Sequence, residues 1–186
     1  MEPLRIASEE ELRKILDVWM PVEWPASGDI VPKLIQRLGW EQTSLRRAQT
    51  DLRVSNRTAM LLIDDMFSKV PGGEFVQAGC DVSDRVCSKK ADAPERKRAL
   101  QRAFDALLAE MRDLLGQENG KEIGRGKTVW WDLPTGGRVH LECHNASVVL
   151  YLMSRRYADA ARNEAKWVAK GYPIGYEEDG TPIFGS

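Results

Sequence analysis

The chain is poor in cysteine and histidine, almost without net charge, and free of long apolar runs. Its three cysteines, Cys80, Cys87 and Cys143, are an odd number without metal-type spacing, which excludes a disulfide framework or a cysteine-built zinc site as the organising device. A formal charge of −1 removes any global electrostatic pull toward nucleic acid or an anionic membrane. No apolar run approaches the roughly 20 residues needed to span a bilayer. The opening MEPLRIASEEE has neither the basic nor the apolar region of a secretory signal. These absences lead us to expect a reduced, cytoplasmic protein that binds neither nucleic acid nor membrane.

What is present suits a globular fold. With 186 residues, 42% apolar and 30% charged, the chain is long enough for one domain with its own core and short for two. We expect a single α+β domain over 1–170. The remaining GYPIGYEEDGTPIFGS has three acids, no base and no periodicity, and is expected to be a flexible acidic and aromatic tail over 171–186. Charge is also segregated elsewhere: 1–30 holds seven acids against three bases, and 31–60 two against six. Such segregation ordinarily means solvated faces, although it can build patches of both signs.

Ser8 and Glu11 have capping-box spacing, and Leu12, Ile15, Leu16 and Trp19 follow at helical intervals up to Pro21. A second helix follows Asp29, presents Leu34, Ile35 and Leu38, and stops at Gly39, with Trp40 placed to fold back on its last turn. The period then shifts toward two. Strands are expected at Leu52 to Val54, Thr58 to Ile63 and Glu74 to Val82, with 64–73 as a connection whose adjacent Asp64 and Asp65 read as solvated loop acids. A long helix follows Asp92, with Leu100, Phe104, Leu107, Leu108, Met111, Leu114 and Leu115 as its apolar stripe and Arg96, Lys97, Arg98 and Arg102 on its other face. Residues 116–127 read as a polar, glycine-rich loop, and Gly126-Lys127-Thr128 lacks the glycine spacing and the following helix of a phosphate-binding loop. Ser154 is placed to cap a last helix up to Lys170, with Tyr157, Ala161, Ala165 and Val168 on one face.

The informative stretch is TVWWDLPTGGRVHLECHNASVVLYLM, from Thr128 to Met153. It alternates apolar and polar residues and turns at Thr135-Gly136-Gly137 and near Asn145-Ala146, so it reads as three antiparallel strands. With a loop at 135–137, Val129, Trp131, Leu133, Val139, Leu141, Cys143, Val148, Leu150 and Leu152 share the core face, and Asp132 lies opposite His140. The fold expected is therefore an antiparallel sheet built from two three-stranded meanders with helices packed on one side. The other face mixes Trp130, Asp132, His140, Glu142 and Tyr151, rings and charges suited to a partner. His140, Glu142 and His144 share one strand face, but the outer two lie about 13 Å apart and do not converge on one ion. Cys143 points away from His140, so no cysteine–histidine nucleophile forms on a regular strand.

The order of elements resembles the layout of small bacterial secretion chaperones. The segment VWWDLPTGGRVHLECHNASVVLYLMSRRYADAARNEAKW, with LGW at 38–40, resembles an uncharacterised bacterial family of cytoplasmic proteins that look like immunity partners of polymorphic toxins. The likeness runs from Leu38 to Trp167 and brings no catalytic residue with it. It implies a protein-binding module without cofactor or metal, and not an enzyme. Such a module would neutralise a cognate toxin by covering its active site, with Trp130 and Tyr151 as anchors beside Asp132, His140 and Glu142, and with Glu177, Glu178 and Asp179 meeting a basic cleft. A secretion chaperone and a metal-dependent enzyme using His140, Glu142 and Asp132 are the alternatives.

Overall fold

The structure is a computed structural model and describes residues 3–23, 26–27, 30–45, 51–55, 64–69, 74–86, 93–123 and 127–170. The elements are α1 (Glu9–Trp19), β1 (Ala26–Ser27), α2 (Val31–Leu38), β2 (Glu41–Leu45), β3 (Asp51–Ser55), β4 (Asp64–Lys69), β5 (Glu74–Asp81), α3 (Ala93–Leu115), β6 (Gly120–Ile123), β7 (Lys127–Asp132), β8 (Arg138–Cys143), β9 (Val148–Met153) and α4 (Arg155–Ala169). The fold is α+β. Among the described residues nine strands form one antiparallel sheet in the order β2-β3-β4-β5-β9-β8-β7-β6, with β1 pairing onto β5. Two consecutive runs, β2 to β5 and β6 to β9, join through β5 and β9, where Cys80 faces Leu150.

Each run holds four strands where the pattern marked three. Within 64–73, expected as a connection, β4 pairs on both sides, to β3 and to β5. Two ladders of backbone hydrogen bonds outweigh the weak strand preference of DDMFSK. The expected strand at 58–63 lies outside the described residues. Likewise, the glycine-rich loop contains β6, an edge strand bonded to β7 and carrying Lys121 and Glu122, charges that discourage further pairing at an open edge.

Local chemistry sets the helices. Ser8 accepts from the Glu11 N–H while the Glu11 carboxylate accepts from the Ser8 N–H, so two orphan donors of α1 are satisfied at once. Gly39 takes φ +75° after α2, and Trp40 N–H donates to the Ile35 carbonyl, which returns the indole to the core. There it meets Trp19 edge-on at 5.8 Å. Asp29 and Asp92, expected as helix caps, lie outside the described residues.

The core joins Leu12, Ile15, Leu16, Val18 and Trp19 of α1, Leu34, Ile35 and Leu38 of α2, and Phe104, Leu107 and Met111 of α3 to one sheet face. That face presents Val129, Trp131, Val139, Leu141, Val148, Leu150 and Leu152, all buried. Trp131 also donates from Nε1 to the Gly116 carbonyl at 2.8 Å, which ties the end of α3 to β7. Three helices thus cover the inner face. The fourth reaches the outer one: Arg162 of α4 donates to Asp132 at 2.8 Å and to the Gly136 carbonyl at 3.1 Å. The buried face of α4 centres on Ala158, while Tyr157 and Ala165, both expected to face inward, are exposed. An alanine lets a helix lie close to its neighbours where a tyrosine would hold it off.

Candidate functional site

Alternation along β7, β8 and β9 places Trp130, Asp132, Arg138, His140, Glu142, Val149, Tyr151 and Met153 on the outer face. The faces are as the sequence implies, but the register differs by two residues. Leu133 N–H donates to Gly137 O and Gly136 N–H to Leu133 O, so the loop is Pro134-Thr135-Gly136, not 135–137. Proline suits the first turn position, and Gly136 at φ +86° takes the left-handed one. A two-residue slip preserves every face and changes every partner. His140 therefore faces Trp130, and Asp132 faces Arg138.

The result is a row across five strands in which Gly120, Trp130, His140, Tyr151 and Gly79 stand directly opposite one another in turn. Glycines end this row for a steric reason. A Cβ on Gly79 would lie 2.6 Å from Tyr151 Cδ1, and one on Gly120 would collide with Cζ2 of Trp130, so each ring approaches bare backbone that only glycine leaves open. Trp130 is also held by the Arg138 guanidinium over its ring, 5.0 Å from the centroid, and by the His140 ring at 6.0 Å. Both aromatic residues stay partly buried.

His140 between them is 8% exposed, and its Nε2 is buried with no hydrogen-bond partner. Burial, helped by the neighbouring Arg138, lowers its pKa to about 4, so the imidazole is neutral at physiological pH. It is a wall of the row and not a free ligand.

The acids expected to meet a partner are partly engaged within the protein. Asp132 Oδ1 accepts from Arg138 Nε and Arg162 Nη2, each at 2.8 Å. Burial pushes this carboxyl up, but the two arginines outweigh it and hold it below the ordinary value. Glu142 lies 3.5 Å from His144 Nε2, and the pair moves together: the carboxyl is lowered and the imidazole raised, each chiefly by the other. The same Nε2 lies 3.2 Å from the Tyr151 hydroxyl. Burial and the nearby Glu142 push that phenol up to about 12, so it stays protonated.

The structure thus brings Trp130, Asp132, His140, Glu142 and Tyr151 onto one face, while Glu177, Glu178 and Asp179 lie outside the described residues. Asp132 and His140 do not form the expected pair. Arg138 and His144 share this face by the same alternation, whereas Arg162 comes from α4 and no strand period could have pointed to it.

Among the described residues no three His, Cys, Asp or Glu side chains converge as ligands for a metal ion. Cys143 faces away from His140, and burial raises its thiol pKa, leaving it a poor nucleophile. Ser147 donates to the buried Asp81 at 2.5 Å and holds the β8–β9 turn to the end of β5. No described helix is long and apolar enough to cross a membrane.

Neither a curated protein nor a solved structure matches the chain. Residues 10–154 match DUF6301, described as a family of unknown function, and the chain belongs to that family.

Proposed function

We propose that this member of DUF6301 is a protein-binding module whose docking surface is the outer face of β7, β8 and β9. In its most concrete form it is a cytoplasmic immunity protein that neutralises a cognate toxin by covering the toxin's active site. The observation that carries the reading is the pair of partly buried rings, Trp130 and Tyr151, each packed against a glycine of the neighbouring strand and held by a polar neighbour, Arg138 over the indole and His144 at the phenol hydroxyl. Interfaces draw most of their affinity from such aromatic anchors, and a ring already held in place loses little freedom on binding. Arg138, Arg162 and His144 neutralise Asp132 and Glu142 in part, so the partner's contribution is expected to be apolar at the centre and cationic only at the rim.

The test is co-purification with the product of the adjacent gene, together with protection of cells that express that product. Trp130→Ala and Tyr151→Ala are each expected to weaken the complex by about 2 kcal/mol or more, roughly thirtyfold, without unfolding the protein. Loss of neither complex nor protection in the double variant would remove this face from the interface. A dimer that instead holds an unfolded client segment would identify a secretion chaperone.

A further inference from the structure

At the hairpin end of the sheet, a hollow of about 330 Å³ opens between the end of α1, the β7–β8 hairpin and the start of α4. Its lining is graded. Leu152 is buried, Met20, Val22, Leu133 and Met153 are half-buried, and Glu23, Thr135 and Arg155 stand exposed. Apolar surface therefore forms the floor and walls, and an acid, a hydroxyl and a base form the rim. Glycine shapes one side. A Cβ on Gly137 would lie 2.8 Å from the Met153 carbonyl oxygen, and one on Gly136 would lie 2.9 Å from Arg155 Cδ, so the hairpin presses against β9 and the arginine stem only because both positions are bare. Among the described residues Arg155 has one loose ion pair, with Asp159 at 3.7 Å, and its side chain is 72% exposed.

Small-molecule sites are of roughly 300–1,000 Å³, mostly apolar, with a few polar groups that fix orientation. The hollow falls at the small end of that range. Glu23 and Arg155 are the charged residues of its described lining, one of each sign. A ligand matching this arrangement has a short hydrocarbon body for the floor and a head bearing both an ammonium and a carboxylate for the rim. We propose that the hollow binds a free apolar α-amino acid, side chain inward, with its carboxylate on Arg155 and its ammonium on Glu23. The site is separate from the outer-face rings and stands or falls independently of the docking reading.

Leucine, leucine amide and N-acetyl-leucine, titrated into the full-length protein with amide shifts followed by NMR, test this directly. Leucine is expected to move the amides of 133–137 and 152–155. Removing the carboxylate (the amide) or the ammonium (the acetyl derivative) is expected to weaken binding about tenfold each, the worth of one charge-assisted hydrogen bond. Arg155→Gln and Glu23→Gln, at exposed positions that leave folding intact, are expected to produce the same losses, each for its own end of the ligand. Leu133→Trp, which fills the hollow, is expected to abolish binding. Absence of shifts up to the solubility of leucine, or equal binding of the three probes, would overturn the assignment.

Discussion

The buried imidazole of His140 gives the structure a pH dependence whose size can be worked out. In the folded protein its pKa is about 4, against an ordinary 6.5. The folded state therefore holds the neutral form, and the unfolded chain takes up a proton first as pH falls. Stability attributable to this group is complete above about pH 6.5, declines as pH drops through the gap, and levels off below about pH 4. The full gap corresponds to about 3 kcal/mol, of which about 2 kcal/mol is lost by about pH 5. Arg138 on the same strand adds to the effect, while Glu142 and Asp132 oppose it. Urea denaturation of the wild type and of His140→Gln across this range isolates the contribution, because other titrations are common to both, including that of His144, whose shift has the opposite sign. We expect the two stability curves to converge by about 2 kcal/mol between about pH 7 and about pH 5. Parallel curves would refute the reasoning and mean that His140 is solvated or hydrogen-bonded in solution.

Two further outcomes test the row and its support. Gly120→Ala drives a methyl into the Trp130 ring and is expected to lower stability by about 1–3 kcal/mol, read as a lower thermal midpoint, with a shifted Trp130 indole N–H resonance. An unchanged indole signal would mean that the ring does not rest there. Asp132→Ala leaves the guanidinium of Arg138, 8% exposed, without its carboxylate and is expected to cost about 2 kcal/mol, whereas Asp159→Ala, at a more exposed pair of Arg162, is expected to cost under about 1 kcal/mol. Equal losses would place Arg138 in water.

Most of the site's face was legible in the sequence, and most of its contacts were not. Strict alternation from Arg138 to Cys143, with Asp132 marking the polar phase of the strand before it, fixes which side chains share a side, because a strand's side-chain period is two whatever the turn. The turn itself was ambiguous, since Thr135-Gly136-Gly137 offers two glycines, and only the one at φ +86° settles which residues pair. That choice separated His140 from Asp132 and gave Asp132 to Arg138.

The sequence by itself determined the capping of α1, the apolar stripe of α3, the return of Trp40 to the core and the two-faced character of the C-terminal strands, all of which depend on neighbours within a few residues. Only the tertiary structure decided that β4 and β6 are strands, that α4 brings Arg162 to Asp132, and that Tyr151 meets His144. Those depend on ladders and ion pairs between segments far apart in the chain, where no local period carries the information. The glycines at 79 and 120 join the two levels. Each is unremarked in its own segment, and its reason is an aromatic ring on the neighbouring strand.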